Sequence, residues 1–166
     1  MLFTLGHSNH NAEKFLSLLR THEINLVADV RSQPVSRFSP HFRKANLGPL
    51  LSGHGIGYLW LDSLGGRPKN PELLDESGRP DYAKMAQTEG FQRGLERLLQ
   101  ESEKQRTTIL CGEEDPNHCH RRLLVVRALC ERNPEYAEEV WHIRKDGKLQ
   151  SESELMRPQA SQPGLI

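Results

Sequence analysis

Thr107-Thr108-Ile109-Leu110-Cys111-Gly112-Glu113-Glu114-Asp115-Pro116 reads as a short strand that stops at a polar turn and hands over to a helix. Its strand portion runs from Thr107 to Leu110. Asp115-Pro116 is a helix start, a capping carboxylate followed by a residue suited to the first helical position. The helix it opens carries Cys119-His120-Arg121 near its first turn and the apolar Leu123 to Leu129 beyond. One strand thus delivers Cys111, Gly112 and Glu113 to its C-terminal end.

The same unit recurs outward from this stretch. Phe3-Thr4-Leu5 is a first strand that ends at Gly6-His7-Ser8-Asn9, and Asn11 can cap a helix bearing Phe15, Leu18, Leu19 and His22. Leu26-Val27-Ala28-Asp29-Val30 is a second strand, closed by Arg31 and Pro34. Leu47, Leu50 and Leu51 mark a helix with Asn46 as its cap, in which Pro49 is tolerable only in the first turn. Ile56 to Leu61 is a third strand, and the Gly/Pro-rich stretch from Asp62 to Pro80 is a long surface loop able to act as a lid. Phe91, Leu95, Leu98 and Leu99 form an amphipathic stripe on a helix that runs to Lys104. Val140-Trp141-His142-Ile143 is the last strand, with Asp146-Gly147 as a hairpin turn.

This alternation predicts an α/β fold: a mainly parallel central sheet of about five strands with helices on both faces, a Rossmann-like three-layer sandwich. Residues 1–150 are expected to form a single α/β domain, and residues 151–166, rich in Ser, Gln and Pro, a poorly ordered tail. No internal repeat is visible.

Composition narrows the function classes. With 36% hydrophobic and 27% charged residues, the chain is neither disordered nor membrane-spanning in type. Met1-Leu2-Phe3-Thr4-Leu5 runs into Gly6-His7-Ser8 and reads as a strand, not a signal peptide. Three cysteines without a disulfide spacing fit a reducing, cytoplasmic compartment. Lys+Arg 22 against Asp+Glu 22 removes the global basic excess of a broad nucleic-acid binder. A local basic patch from Arg31, Arg37, Arg43, Lys44 and Arg67 stays open, and nothing points to a membrane.

In parallel sheets ligands sit beyond the C-terminal ends of the strands. The polar clusters there, Gly6-His7-Ser8, Asp29-Val30-Arg31, Leu64-Gly65-Gly66-Arg67 and Cys111-Gly112-Glu113, should therefore face one mouth. Cys119, read in the first helical turns beside His120 and Arg121, meets the conditions that depress a thiol pKa and create a nucleophile. Cys111 is its partner: a resolving thiol, a second ligand or the nucleophile itself. The plainer alternative is two small residues packed against the sheet.

Glu113 and Asp29 are candidates for acid/base work or for holding a ligand hydroxyl, while Asp29 paired to Arg31 is the orienting alternative. His7 is a candidate acid or base in a ligand-facing turn with Ser8. Arg31, Arg37, Arg67 and Arg121 together would clamp an anion, phosphate or carboxylate, and Gly65-Gly66 would let backbone approach it. Dinucleotide and phosphate-loop motifs are missing, as is the phosphatase spacing of Cys, five residues and Arg. Cys111, His118, Cys119 and His120 are metal-ligand types, but neighbouring helical positions point about a quarter-turn apart and are not expected to converge. No metal is assigned.

Thr4-Leu5-Gly6-His7-Ser8-Asn9, Asp29-Val30-Arg31 with Pro34 and Ser36-Arg37, Leu64-Gly65-Gly66, and Cys111-Gly112-Glu113 through Cys119-His120-Arg121 together resemble the domain of unknown function 488 family. The resemblance runs over residues 3 to 145 and implies an α/β fold with a shared site, without a settled activity, cofactor or reaction.

Three readings follow. The leading one is a small enzyme binding an anionic ligand, a nucleotide or nucleic-acid component, with Cys119 or Cys111 as reactive thiol and His120 and Glu113 moving protons. The second is a non-catalytic anion-binding or nucleic-acid-associated module, and the third a Cys/His metal site. Cofactor, oligomeric state and physiological partner are not written in the residues.

Overall fold

The computed structural model describes residues 1–157. Six strands form one sheet in the order β3-β2-β4-β1-β5-β6. These are β1 (Leu2–Gly6), β2 (Leu26–Asp29), β3 (Gly57–Trp60), β4 (Thr107–Cys111), β5 (Val140–Ile143) and β6 (Leu149–Ser151). The first five pair in parallel, and β6 runs antiparallel to β5. The expected three-layer α/β architecture holds, with one strand more than predicted. The extra strand follows from the turn at Asp146-Gly147, where Gly147 takes φ 86°, a left-handed conformation that favours glycine, and folds the chain back on β5.

Strands β1, β2 and β4 are buried at every position, so their side chains divide between two cores. Leu2, Ala28, Ile109 and Cys111 face a layer built from α3 (Tyr82–Ala86), α4 (Glu89–Lys104) and the helix that follows β4. Phe3, Leu5, Val27 and Leu110 face α1 (Ala12–Thr21) and α2 (Lys44–Ser52). Cys111 therefore points towards the layer into which Cys119 packs. That placement follows from the two-residue period of the strand.

The helices form for local reasons. Asn11 caps α1 by accepting from the Lys14 amide, and Phe15, Leu16, Leu18 and Leu19 bury one face. Thr88 caps α4 in the same way, and Phe91, Leu95, Leu98 and Leu99 form its buried stripe. In α2 the expectation changes. The helix starts at Lys44, so Pro49 lies inside it and Asn46 donates to the Pro40 carbonyl at 2.7 Å instead of capping.

Two further corrections bear on the site. Asp115-Pro116 opens only a single 3₁₀ turn, Pro116–His118, after which Cys119 is extended (φ −131°, ψ 139°). The long helix begins beyond Cys119, first as a π-helical segment, Arg121–Val126, then as α5 (Arg127–Arg132). The expected tail also begins in structure. After the short helix α6 (Tyr136–Glu139), Ser151 ends β6 and caps α7 (Glu152–Met156). The rest of the tail, residues 158–166, lies outside the described residues. Among the described residues no helix is long and apolar enough to cross a membrane.

Glu152 anchors α7 into a buried polar chain. The Arg121 Nε–H donates to Thr4 Oγ1 at 3.2 Å, the Thr4 hydroxyl donates to His142 Nδ1 at 2.6 Å, and His142 Nε2–H donates to Glu152 Oε1 at 2.9 Å. Arg122 closes the chain with a fork onto both Glu152 oxygens at 2.8 Å. Thr4, His142 and Arg121 are fully buried. Removing one partner of such a buried pair leaves an uncompensated charge, at a cost of about 3 kcal/mol. Glu152→Ala should therefore lower unfolding stability by ~3 kcal/mol, read as the shift in a urea transition, whereas Glu154→Ala on the solvent side of α7 should change it little.

Candidate functional site

The parallel strands β1, β2 and β4 release their C-terminal turns at one edge of the sheet, and a cleft of about 560 Å³ opens there. His7, Arg31, Gly66, Arg67, Cys111, Glu113, Cys119 and His120 all line it, as do Ser32, Tyr82 and His118. The topology thus draws four distant segments to one rim. Register explains part of this, because Gly6 pairs with Cys111 and Asp29 with Leu110, which aligns the strand ends.

At the base of the cleft Cys111, Cys119 and His120 bring their ligand atoms within 4.8 Å of one another. Their convergence overturns the expectation that neighbouring residues diverge. Cys119 is extended and not helical, so it and His120 can aim at the same point. His118 is not part of the group, since its side chain is largely exposed and lies 3.6 Å from Asp115.

Hydrogen bonds orient the group. His120 Nε2–H donates to the Val30 carbonyl at 2.7 Å, which turns Nδ1 towards Cys111 Sγ at 3.4 Å. Both cysteines are free and buried. Two thiols whose sulfurs lie within 4.8 Å of each other do not both ionise in a buried site, so they share a proton unequally. The hydrogen bond from Cys111 holds the Cys119 thiol far below the usual range; His120 and Arg121 act in the same direction, and burial opposes them. Cys111 is pushed far above the range by the same hydrogen bond and by burial. The Arg121 backbone amide also points at Cys119 Sγ, 3.5 Å away. Tyr82 stands over the pair, its phenol pushed up by burial and by the two thiols.

The wall on the β2 side is an ion pair and a locked imidazole. Arg31 grips Asp29 through Nε at 2.9 Å and Nη2 at 2.7 Å, and the Tyr58 hydroxyl adds a bond to Asp29 at 2.6 Å. Asp29 is therefore an orienting partner buried behind the cleft. His7 donates from Nδ1 to the Ser8 carbonyl at 2.8 Å and accepts from Arg31 Nη1 at 3.3 Å. Burial pushes the His7 imidazole down to about 4, with Arg31 acting the same way and the Ser8 carbonyl opposing. Phe42 stacks on it at 4.4 Å between centroids.

Several residues expected in the cleft stand elsewhere. Arg121 is fully buried beneath it, its guanidinium donating to Thr4 and to the Glu113 and Glu114 carbonyls. It straps the turn after β4 and has no nitrogen left for a ligand. Ser8 turns away at φ 48° with its amide on the Gly112 carbonyl, and Arg37 is exposed on the loop beyond Val35.

Gly65 and Gly66 approach protein, not an open ligand space. A Cβ on Gly65 would lie 2.3 Å from Ser32 Oγ, and one on Gly66 2.7 Å from His120 Cγ. The loop they belong to is a fixed wall, with Ser32 Oγ accepting from the Arg67 amide at 2.9 Å. Ser32, Tyr82 and the Thr4–His142–Glu152 chain were given no role from the sequence, because a Tyr or Thr inside an ordinary strand or helix pattern carries no local mark of one.

His7 makes a pH prediction with a definite sign. Its folded pKa lies below the unfolded value, so its contribution to stability is complete above about pH 6.5. It is lost as pH falls from there towards about 4. Urea midpoints for the wild type and His7→Gln should converge on acidification across that window; parallel curves would show that His7 is not held neutral.

A family model described as "Domain of unknown function DUF488" matches residues 11–128. No curated protein and no solved structure matches the chain.

Proposed function

The chain belongs to the domain of unknown function DUF488 family, and from that premise we propose that it is an enzyme whose chemistry runs at the Cys119 sulfur, on a polar substrate carrying an anionic group. The convergence of Cys111, Cys119 and His120 at the base of an open cleft carries this reading. A nucleophilic thiol needs an anionic sulfur, a nearby group that manages its proton and a substrate space in front of it. Cys111 supplies the hydrogen bond that keeps Cys119 ionised, and His120, oriented by Val30, presents Nδ1 to the pair. Glu113 and His118 on the rim are placed to give a leaving group its proton. Arg67 supplies free positive charge at the mouth, while Arg31 has its charge balanced by Asp29 and offers orientation. A nucleotide or nucleic-acid component fits this polarity.

Alkylation tests it directly. A free thiol slows about tenfold per pH unit below ~8.5, whereas iodoacetamide should modify Cys119 at pH 5 nearly as fast as at pH 8. Cys130, pushed up to about 11 by burial, should stay silent there. Cys111→Ala, which leaves no donor at that position, should return the Cys119 profile towards that of an ordinary thiol, and Cys119→Ser should abolish the acid-phase reaction. A wild-type profile that falls off like a free thiol would remove the nucleophile.

A second reading rests on the same convergence. Two sulfurs and an imidazole whose other nitrogen is tied to a carbonyl form a Cys₂His set, with a fourth position open to the cleft, suited to a zinc-class cation. Elemental analysis separates the two. One equivalent of metal that blocks alkylation of both Cys111 and Cys119 supports the metal reading, and acid-phase alkylation of metal-free protein supports the thiol.

A further inference from the structure

Although the chain is electrically balanced, its charges are not evenly spread. From Val30 to Leu61 there is no Asp or Glu, yet the segment holds Arg31, Arg37, Arg43 and Lys44. Arg37, Arg43 and Lys44 are all exposed. Between them Phe38 stands 91% exposed and Val35 69% exposed. Val35 lines the cleft, so this basic rim begins where the cleft ends.

The rim is built, not loose. Pro34 and Phe42 are buried at its two ends. The Lys44 amide donates to the Pro34 carbonyl at 2.9 Å, Arg43 Nε donates to the Ser36 carbonyl at 3.1 Å, and Asn46 donates to the Pro40 carbonyl. Lys44 Nζ lies 4.2 Å from the centre of the Trp60 ring, and Trp60 Nε1–H donates to the Arg31 carbonyl at 2.9 Å. The loop that displays Phe38 is thus stitched to α2, to β3 and to the strand end that carries Arg31. A single exposed apolar side chain is common on protein surfaces. An anchored aromatic among unpaired cations, with no acid in the segment, is a different object.

We propose that this rim binds single-stranded nucleic acid and leads one nucleotide into the cleft. The proposal rests on the reading of the cleft as an active site and names its substrate class. Phe38 offers a face on which a base stacks, and Arg37, Arg43 and Lys44 meet the phosphates, with Arg67 across the mouth. Unpaired bases are required because a stacking face has no partner in an intact duplex. The rest of the chain, net acidic once the four cations of this segment are set aside, also lacks the charge to hold a duplex broadly. The cleft volume falls within the ~300–1,000 Å³ of small-ligand sites, enough for a nucleotide and not for a paired helix.

Anisotropy of a fluorescein-labelled oligothymidylate about 15 nucleotides long tests this on the whole chain. Binding should weaken with salt at a log–log slope of about −3, for four phosphate contacts at about −0.7 each. Phe38→Ala should weaken it about tenfold with the slope unchanged. Arg37→Ala and Arg43→Ala should each flatten the slope by about 0.7. Strand binding without acid-phase alkylation of Cys119 would uphold the rim and sink the thiol, and alkylation without strand binding would do the reverse. Absence of binding at low salt, a Phe38→Ala variant indistinguishable from wild type, or equal affinity for duplex or heparin would overturn the rim.

Discussion

The guanidinium of Arg121 holds the site in place. It is buried completely and faces no carboxylate: Thr4 Oγ1 and the backbone carbonyls of Glu113 and Glu114 take its protons. Burying an arginine in this way is costly unless its donors are satisfied and a negative charge lies near. The donors are satisfied by the turn that follows β4, so the turn that delivers Cys111 is fixed by the residue just after Cys119 and His120. The Cys119 sulfur lies 3.5 Å from the Arg121 amide, and Arg121 acts to lower the pKa of that thiol. Thr4, His142 and Glu152 continue the chain to the far edge of the sheet, where Arg122 supplies the second guanidinium.

Around that strap the site is assembled by close approach of backbone. A Cβ on Gly6 would lie 1.9 Å from the Glu113 carbonyl oxygen, so the turn after β4 can cross β1 only because residue 6 has no side chain. Gly66 plays the same part against His120, setting the ring whose Nδ1 faces the thiols. Neither glycine needs an unusual φ; the constraint is volume. Enlarging either would move a reactive group without touching it chemically, which makes these positions as decisive for the site as the residues that line it.

The sequence carried the fold well because its strands are short, apolar and punctuated by polar turns. Leu26–Val30 read as a two-sided strand and Thr107–Leu110 as a strand, and β2 and β4 are buried at every position. Strand β6 escaped notice because three residues without an apolar pattern give no periodicity, and only the antiparallel pairing to β5 defines it. The segment residues were legible, and their grouping at strand C-termini followed from topology. Individual roles were not. Asp29 and Arg31 read equally well as catalytic groups or as a pair, and only the fork at 2.7 and 2.9 Å decides for the pair. Arg121 read as an anion clamp because composition does not reveal burial, and Glu152 was read as tail because its partner His142 belongs to another strand.

The helix break at Cys119 leaves two chemistries geometrically open, and charge balance distinguishes them. On the thiol reading, with no cation bound, a Cys119 thiolate offsets the charge of the buried Arg121 guanidinium without help from outside. Binding a divalent cation removes the shared proton and makes both sulfurs anionic. The cation then cancels the sulfurs and leaves Arg121 uncompensated in a buried setting, a condition that calls for a further anion at the open fourth position. The thiol pair is complete as the chain builds it, whereas the metal set becomes complete only with an anionic ligand from the cleft. On the metal reading alone the buried arginine would call for a negatively charged partner in the cleft, and the acid-free rim beside it would extend that preference along the surface.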